Sequence, residues 1–122
     1  MPDAAARPLR SDCPLSAALD RFGDRWTLLI LRDIAAGKRR YGDIAGSNEV
    51  IPTNILAARL KQMQADGLIE SVPYQSRPVR SEYHLTAKGR SLIPIMQELC
   101  RWGLAHEEET RPPSGVFMML KP

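Results

Sequence analysis

The chain has 122 residues, 43% of them hydrophobic and 25% charged, which is room for one modest core and excludes disordered, fibrous and repeat classes. Seventeen Lys and Arg against fourteen Asp and Glu give a formal charge of +3, and the two cysteines come with no export signal. A protein of the reducing cytoplasm is therefore expected, and not a disulfide-stapled secreted scaffold. No run free of Asp, Glu, Lys, Arg and His exceeds nine residues, so no membrane-spanning segment is expected.

Taken in chain order, the residues read as short helices, one hairpin and a last helix. Pro14 suits a first helical turn, Leu15, Ala18, Leu19 and Phe22 repeat at helical spacing, and Gly23 ends the element. Asp24 can cap a second helix whose inner face carries Trp26, Leu29, Ile30 and Ile34, with Gly37 as its stop. Lys38-Arg39-Arg40 falls in the next turn, Tyr41 to Ala45 is a short third helix with Ile44 inward, and Gly46-Ser47-Asn48 is loop. Pro52-Thr53 opens a fourth helix, with Thr53 able to cap it. Ile55, Leu56, Arg59, Leu60, Met63 and Leu68 mark one side, while Asn54, Ala57, Ala58, Lys61, Gln62 and Gln64 mark the other, and Gly67 closes it. After Gly67 the period turns extended. Residues 68–72 and 82–85 predict two strands of a hairpin, joined by a Pro-punctuated loop over residues 73–81. Thr86 predicts the cap of a last helix with Leu92, Ile95, Met96, Leu99, Trp102 and Leu104 on its apolar side, bent by Pro94. Gly103, Glu107-Glu108-Glu109 and Pro112-Pro113 mark its end, and residues 114–122 have no assignment.

These elements predict a mainly α fold with a small antiparallel β-hairpin (α+β), a winged helix-turn-helix with an added C-terminal helix. The charge is uneven: residues 1–37 are neutral, residues 38–90 carry +4 and residues 91–122 carry −1. The excess lies where a polyanion footprint would be sought, although +4 over that span is also ordinary surface charge. In the fourth helix Ile55, Leu56 and Leu60 would pack inward and leave amide and small side chains for a major groove. There Asn and Gln can pair with adenine and Ala can touch a thymine methyl. Gln75, Ser76, Arg77 and Arg80 in the wing would follow a phosphate strand or enter the minor groove.

The chain resembles the HxlR-type winged helix transcriptional regulators of bacteria. The resemblance is carried by Cys13-Pro14-Leu15, Gly23 to Asp33 (GDRWTLLILRD), Arg40 to Ile44 (RYGDI), Ile51 to Leu60 (IPTNILAARL), Gly67-Leu68-Ile69, Glu82 to Thr86 (EYHLT) and Leu99-Cys100-Arg101-Trp102. Seven segments in order run from about residue 13 to 106. The organisation is then an arm over residues 1–12, the winged helix with its dimerisation helices over 13–106, and a tail over 107–122. The resemblance implies a homodimer held by the first and last helices, with Leu15, Leu19, Leu99 and Trp102 at the interface. Its two recognition helices would enter successive major grooves of a palindromic operator, with half-sites about 34–36 Å apart. Carried over position by position, the recognition helix falls on Thr53 to Gln64, with Thr53, Asn54, Ala57, Ala58, Lys61 and Gln62 as DNA contacts. Arg59 either reaches a phosphate or braces the fold. Where many members have Ser-Pro, this chain has Pro52-Thr53, which leaves the capping residue open.

The remaining candidates each have two readings. Cys13 sits at a helix amino terminus, where the local positive field favours thiolate chemistry. It is the candidate redox-sensing residue, against the reading of a family cysteine without a sensing role. Cys100 reads as core or interface packing. Lys38-Arg39-Arg40 reads as a phosphate clamp or a solvated turn, and Glu107-Glu108-Glu109 as a solvated helix end. Trp26 and Trp102 read as core, or as the flanks of a small-molecule pocket. His84 and His106 are too isolated for a designed metal site, so no metal or cofactor is expected. No Gly-rich phosphate loop, nucleophile elbow or HExxH pattern is present, and no enzyme is expected. The expected partners are double-stranded DNA, a second copy of the chain, and an oxidant or small-molecule effector, with repression as the default by analogy. The alternative is a winged helix used for protein contact alone, which would show an apolar outer face on the fourth helix.

Overall fold

Proline in the first turn and Gly23 at the end frame α1 (Pro14–Phe22). There follow α2 (Thr27–Ala35), α3 (Tyr41–Ala45), α4 (Thr53–Ala65), β1 (Ile69–Ser76), β2 (Val79–Leu85), α5 (Ala87–Arg90), α6 (Ile93–His106) and a 3-10 turn at Phe117–Met119. This computed structural model describes residues 8–113 and 116–122. Residues 1–7 of the expected arm, and Ser114 and Gly115 of the tail, lie outside the described residues. The two strands pair antiparallel, Ile69 opposite Leu85 and Ser76 opposite Val79. The fold is the winged helix expected from the sequence.

Gly37 and Gly67 sit at φ of 108° and 77° and end α2 and α4 by the same device. Gly37 N–H donates to the Ile34 carbonyl and Lys38 N–H to that of Asp33; Gly67 N–H donates to Gln64 and Leu68 N–H to Met63. This Schellman pairing satisfies carbonyls a helix end would leave bare, and only a residue without a Cβ takes that backbone turn cheaply. It delivers Lys38-Arg39-Arg40 to the turn before α3 and Leu68 to the foot of the hairpin. Thr86 closes the hairpin as expected of a cap. Its Oγ1 accepts from Gly89 N–H at 3.1 Å and donates to the Gly67 carbonyl at 2.5 Å.

The core draws on every layer: Ile30, Leu31 and Ile34 of α2, Ile44 of α3, Leu56, Leu60 and Met63 of α4, Leu68 and Ile69 at the hairpin foot, and Ile93 and Met96 of α6. The tail completes it. Phe117 is 1% exposed, and the buried Gln97 side chain of α6 donates from Nε2 to the carbonyls of Phe117 (3.0 Å) and Leu120 (2.8 Å).

Four local expectations are corrected. Pro52, and not Thr53, precedes the first turn of α4, and no side chain caps it. The fixed φ of proline carries the chain into the helix one residue earlier than a threonine cap would. The hairpin is longer than expected: Arg77-Pro78, joined by a cis peptide, is the whole turn in place of the loop over residues 73–81. Each strand of a two-stranded sheet has an open edge that tolerates a residue without an N–H, and the register shifts between Pro73 and Gln75. The last helix is two helices. Pro94 lies in the first turn of α6, where the missing N–H has no partner to lose, so it starts that helix and does not bend it. Finally, Trp26 and Leu29 are only half-buried and Leu31 takes the inner position expected of them, because Leu29 opens onto a cavity between α2 and α6 and the Trp26 ring lies under Arg25.

Candidate nucleic-acid interface

Along α4 the residues Thr53, Asn54, Ala57, Ala58, Lys61 and Gln64 are exposed, while Leu56, Leu60 and Met63 are buried. The inner stripe is held by the core, and no part of the described chain covers the outer one. Two of the expected contact residues are occupied elsewhere. Arg59 Nε lies 2.9 Å from Asp24 Oδ2, which is the bracing arrangement. Half-buried Gln62 donates from Nε2 to Asp66 Oδ1 at 3.0 Å, one turn along the same helix.

Asp24 joins α2 and α4. Its Oδ2 accepts from the amides of Trp26 and Thr27 (both 3.0 Å) and its Oδ1 from the Thr27 hydroxyl at 2.6 Å. It therefore holds the turn that leads into α2, whose cap position is taken by Trp26 and not, as the sequence suggests, by Asp24, and it also grips α4 through Arg59. Burial pushes its carboxyl up, but the hydrogen bonds from Thr27, Trp26 and Arg59 outweigh that and hold it below the ordinary carboxylate value. A depressed folded-state pKa adds stability that is present above the ordinary carboxylate range and is lost as pH falls through the folded value. Asp24→Ala should cost about 2–3 kcal/mol at neutral pH, because it removes a carboxylate that accepts two backbone amides, a hydroxyl and a guanidinium. The variant should also lose less stability than the parent in the acid limb below about pH 4. Urea unfolding at several pH values reads both; parallel acid limbs would contradict this role.

The turn and the hairpin are tied to α4 by a short chain of contacts. Tyr41 Oη donates to the Thr53 carbonyl at 3.3 Å. The Arg39 carbonyl accepts from Tyr83 N–H of β2 at 2.7 Å. Arg40 stands 3.5 Å from Glu82 and lies 4.0 Å over the Tyr74 ring. At the hairpin end, Gln75 donates from Nε2 to the carbonyls of Arg77 and Pro78, so it closes the turn and leaves Ser76, Arg77 and Arg80 exposed. Lys38, Arg39, Lys61, Arg77 and Arg80 have no ion-pair partner among the described residues. Sequence reasoning passed over Tyr41 and Tyr74; no local pattern marks a tyrosine whose partner is a distant carbonyl or guanidinium.

The other candidates fall outside this surface. Cys13 is an exposed free thiol just before α1. Cys100 is half-buried, and burial pushes its thiol up against the opposing pull of Arg32 and Arg101. Leu15, Leu19, Leu99 and Trp102 are 69%, 49%, 53% and 60% exposed, so α1 and α6 leave apolar rows uncovered by the described residues. His84 lies 3.2 Å from Glu82, and His106 stacks on Trp102 at 4.7 Å. Among the described residues no group of three His, Cys, Asp or Glu is placed to hold a metal, and no helix is long and apolar enough to cross a membrane.

A three-helix unit with an uncovered polar face on its last helix, beside a cationic two-stranded wing, defines a winged helix-turn-helix protein. The family description HxlR-like helix-turn-helix matches residues 21–111, and the chain belongs to that family. An uncharacterised HTH-type transcriptional regulator of Mycobacterium bovis is 46% identical over 104 residues, 85% of this chain and 63% of that protein. The chain thus spans less than two thirds of that relative's length. Among solved structures, PA1607, a candidate transcription factor, matches with a TM-score of 0.75 at 35% identity, over 87% of this chain and 79% of that one. The redox regulator HypR in its oxidised form matches with a TM-score of 0.72 at 29% identity, over 79% and 99%.

Proposed function

We propose that the chain is a transcriptional regulator of the bacterial cytoplasm that binds double-stranded DNA in a sequence-specific manner, as a homodimer and as a repressor. The observation that carries this reading is the outer face of α4: Thr53, Asn54, Ala57, Ala58 and Lys61 lie open, small or polar with no large apolar side chain among them, and unpaired cations stand in the preceding turn and at the hairpin tip. Thr53, Asn54, Ala57, Ala58 and Lys61 read the groove, and Lys38, Arg39, Arg77 and Arg80 hold phosphates on either side. A winged helix used for protein contact alone would present an apolar face at these positions. The uncovered rows of α1 and α6, with Leu15, Leu19, Leu99 and Trp102, seat the partner subunit. Cys13, exposed beside that seam, is the thiol through which an oxidant would act, a role favoured by the likeness to a redox regulator.

The test is binding to the DNA of the protein's own locus. Wild-type protein should protect an intergenic segment, and Asn54→Ala should lose about 1–3 kcal/mol of discrimination at one base pair while its binding to unrelated duplex changes little. Competition with single-pair operator variants measures this. Failure to bind any fragment of the locus in low-salt buffer would end the reading.

A further inference from the structure

Away from the DNA-reading face, α2, α6 and the returning tail border a solvent-open cavity of about 620 Å³, within the roughly 300–1,000 Å³ range of small-molecule sites. Its walls are apolar, with Leu28 and Leu29 from α2, Met96 from α6 and Phe117 from the tail, and it is bordered by Leu99, which the proposed partner subunit also meets. Its charged lining is unbalanced. Three arginines, Arg25, Arg32 and Arg111, share it with one carboxylate, Asp24. Arg32 is committed to Asp33 and Glu49 (2.9 and 3.4 Å), and Asp24 to Arg59 and the start of α2. That leaves Arg25, whose guanidinium lies 5.0 Å over the Trp26 ring, and Arg111 without a carboxylate partner among the described residues.

We infer that this cavity is an effector site for an amphipathic organic anion, an aromatic or medium-chain carboxylate whose apolar body lies between α2 and α6 and whose charged head pairs with Arg25 and Arg111. Both halves of such a ligand find what they need there: burial against leucines and methionine, and guanidinium groups suited to a carboxylate. Arg25 and Arg111 are both exposed, so a neutral ligand would gain nothing from them and a cationic one would be repelled. The coupling element is Asp24, which lines the cavity and also holds Arg59 of the recognition helix. An anion settling beside Asp24 shifts the Asp24–Arg59 pair and with it the seating of α4. This coupling rests on the DNA-binding reading; occupancy of the cavity does not.

The experiment uses the full chain, with 2-naphthoate as probe and its neutral amide as control. Titration calorimetry should show one naphthoate per chain, with the amide at least tenfold weaker. Arg25→Gln with Arg111→Gln should bring naphthoate down to the level of the amide and leave the amide unchanged. In a Cys13→Ser background, bound naphthoate should slow modification of Cys100, which lines the cavity. Saturating naphthoate should change affinity for DNA of the own locus at least fivefold in the parent and not in the double variant. Equal binding of acid and amide, or no effect of the double variant, overturns the site, as does loss of naphthoate binding when chain concentration is raised, which would assign the cavity to the partner subunit. Because occupancy is read without DNA, failure of the DNA-binding reading leaves the first three measurements standing. Naphthoate binding without any change in DNA affinity overturns the coupling alone.

Discussion

Replacing Arg77 and Arg80 together by alanine is expected to weaken binding to every duplex by a similar factor and to flatten the plot of log K against log salt by about 1.8. Each phosphate neutralised by a protein cation releases counterions and contributes roughly 0.9 to that slope, and both arginines are exposed and have no carboxylate partner among the described residues. Their placement is what makes the effect large. A two-residue turn on a paired hairpin holds the cations at the end of a defined strut, so little ordering is left to be done on binding. Operator choice should be preserved, because phosphate contacts position and base contacts specify. Arg40→Ala is a useful contrast: its cation already faces Glu82 and Tyr74, so its slope change should be smaller. Anisotropy titrations between 50 and 200 mM salt decide the matter, and an unchanged slope for the double variant would remove the wing from the interface.

The second large effect is on stability. Phe117→Ala should cost about 3–5 kcal/mol, the usual loss for a fully buried aromatic, against a total of roughly 5–15 kcal/mol for a domain. Phe117 is among the most buried side chains of the protein, and Gln97 donates to its carbonyl and to that of Leu120. Met119→Ala, two residues on and exposed, should fall within about 0.5 kcal/mol of the parent. Urea unfolding of the pair separates a tail that is part of the core from one that merely rests on it. A Phe117 variant as stable as the Met119 variant would refute the first description.

The loss in Asp24→Ala and the loss in Phe117→Ala differ in how far they could be foreseen. Asp24 stands three residues before Thr27, and its hold on the start of α2 was readable, although Trp26 takes the cap position. Its second partner, Arg59, is 35 residues away, and nothing in the spacing selects Asp24 over a DNA phosphate. Likewise Gln62 sits on the polar side by periodicity, yet Asp66 one turn on draws it aside.

What could be read from the residues alone is what neighbours along the chain decide. The positive-φ glycines that stop α2 and α4, the two faces of α4, the change to extended period after Gly67, and the cationic hairpin end all follow from contacts within a few positions. What needed the folded chain is the pairing of parts distant in sequence. Pro73 could join a strand because that strand has an open edge, and Arg59 could turn to Asp24 because α2 lies against α4. Phe117 could complete the core because Gln97 holds the returning tail. Local periodicity carries no record of such meetings, since each depends on burial that exists only once the layers have closed.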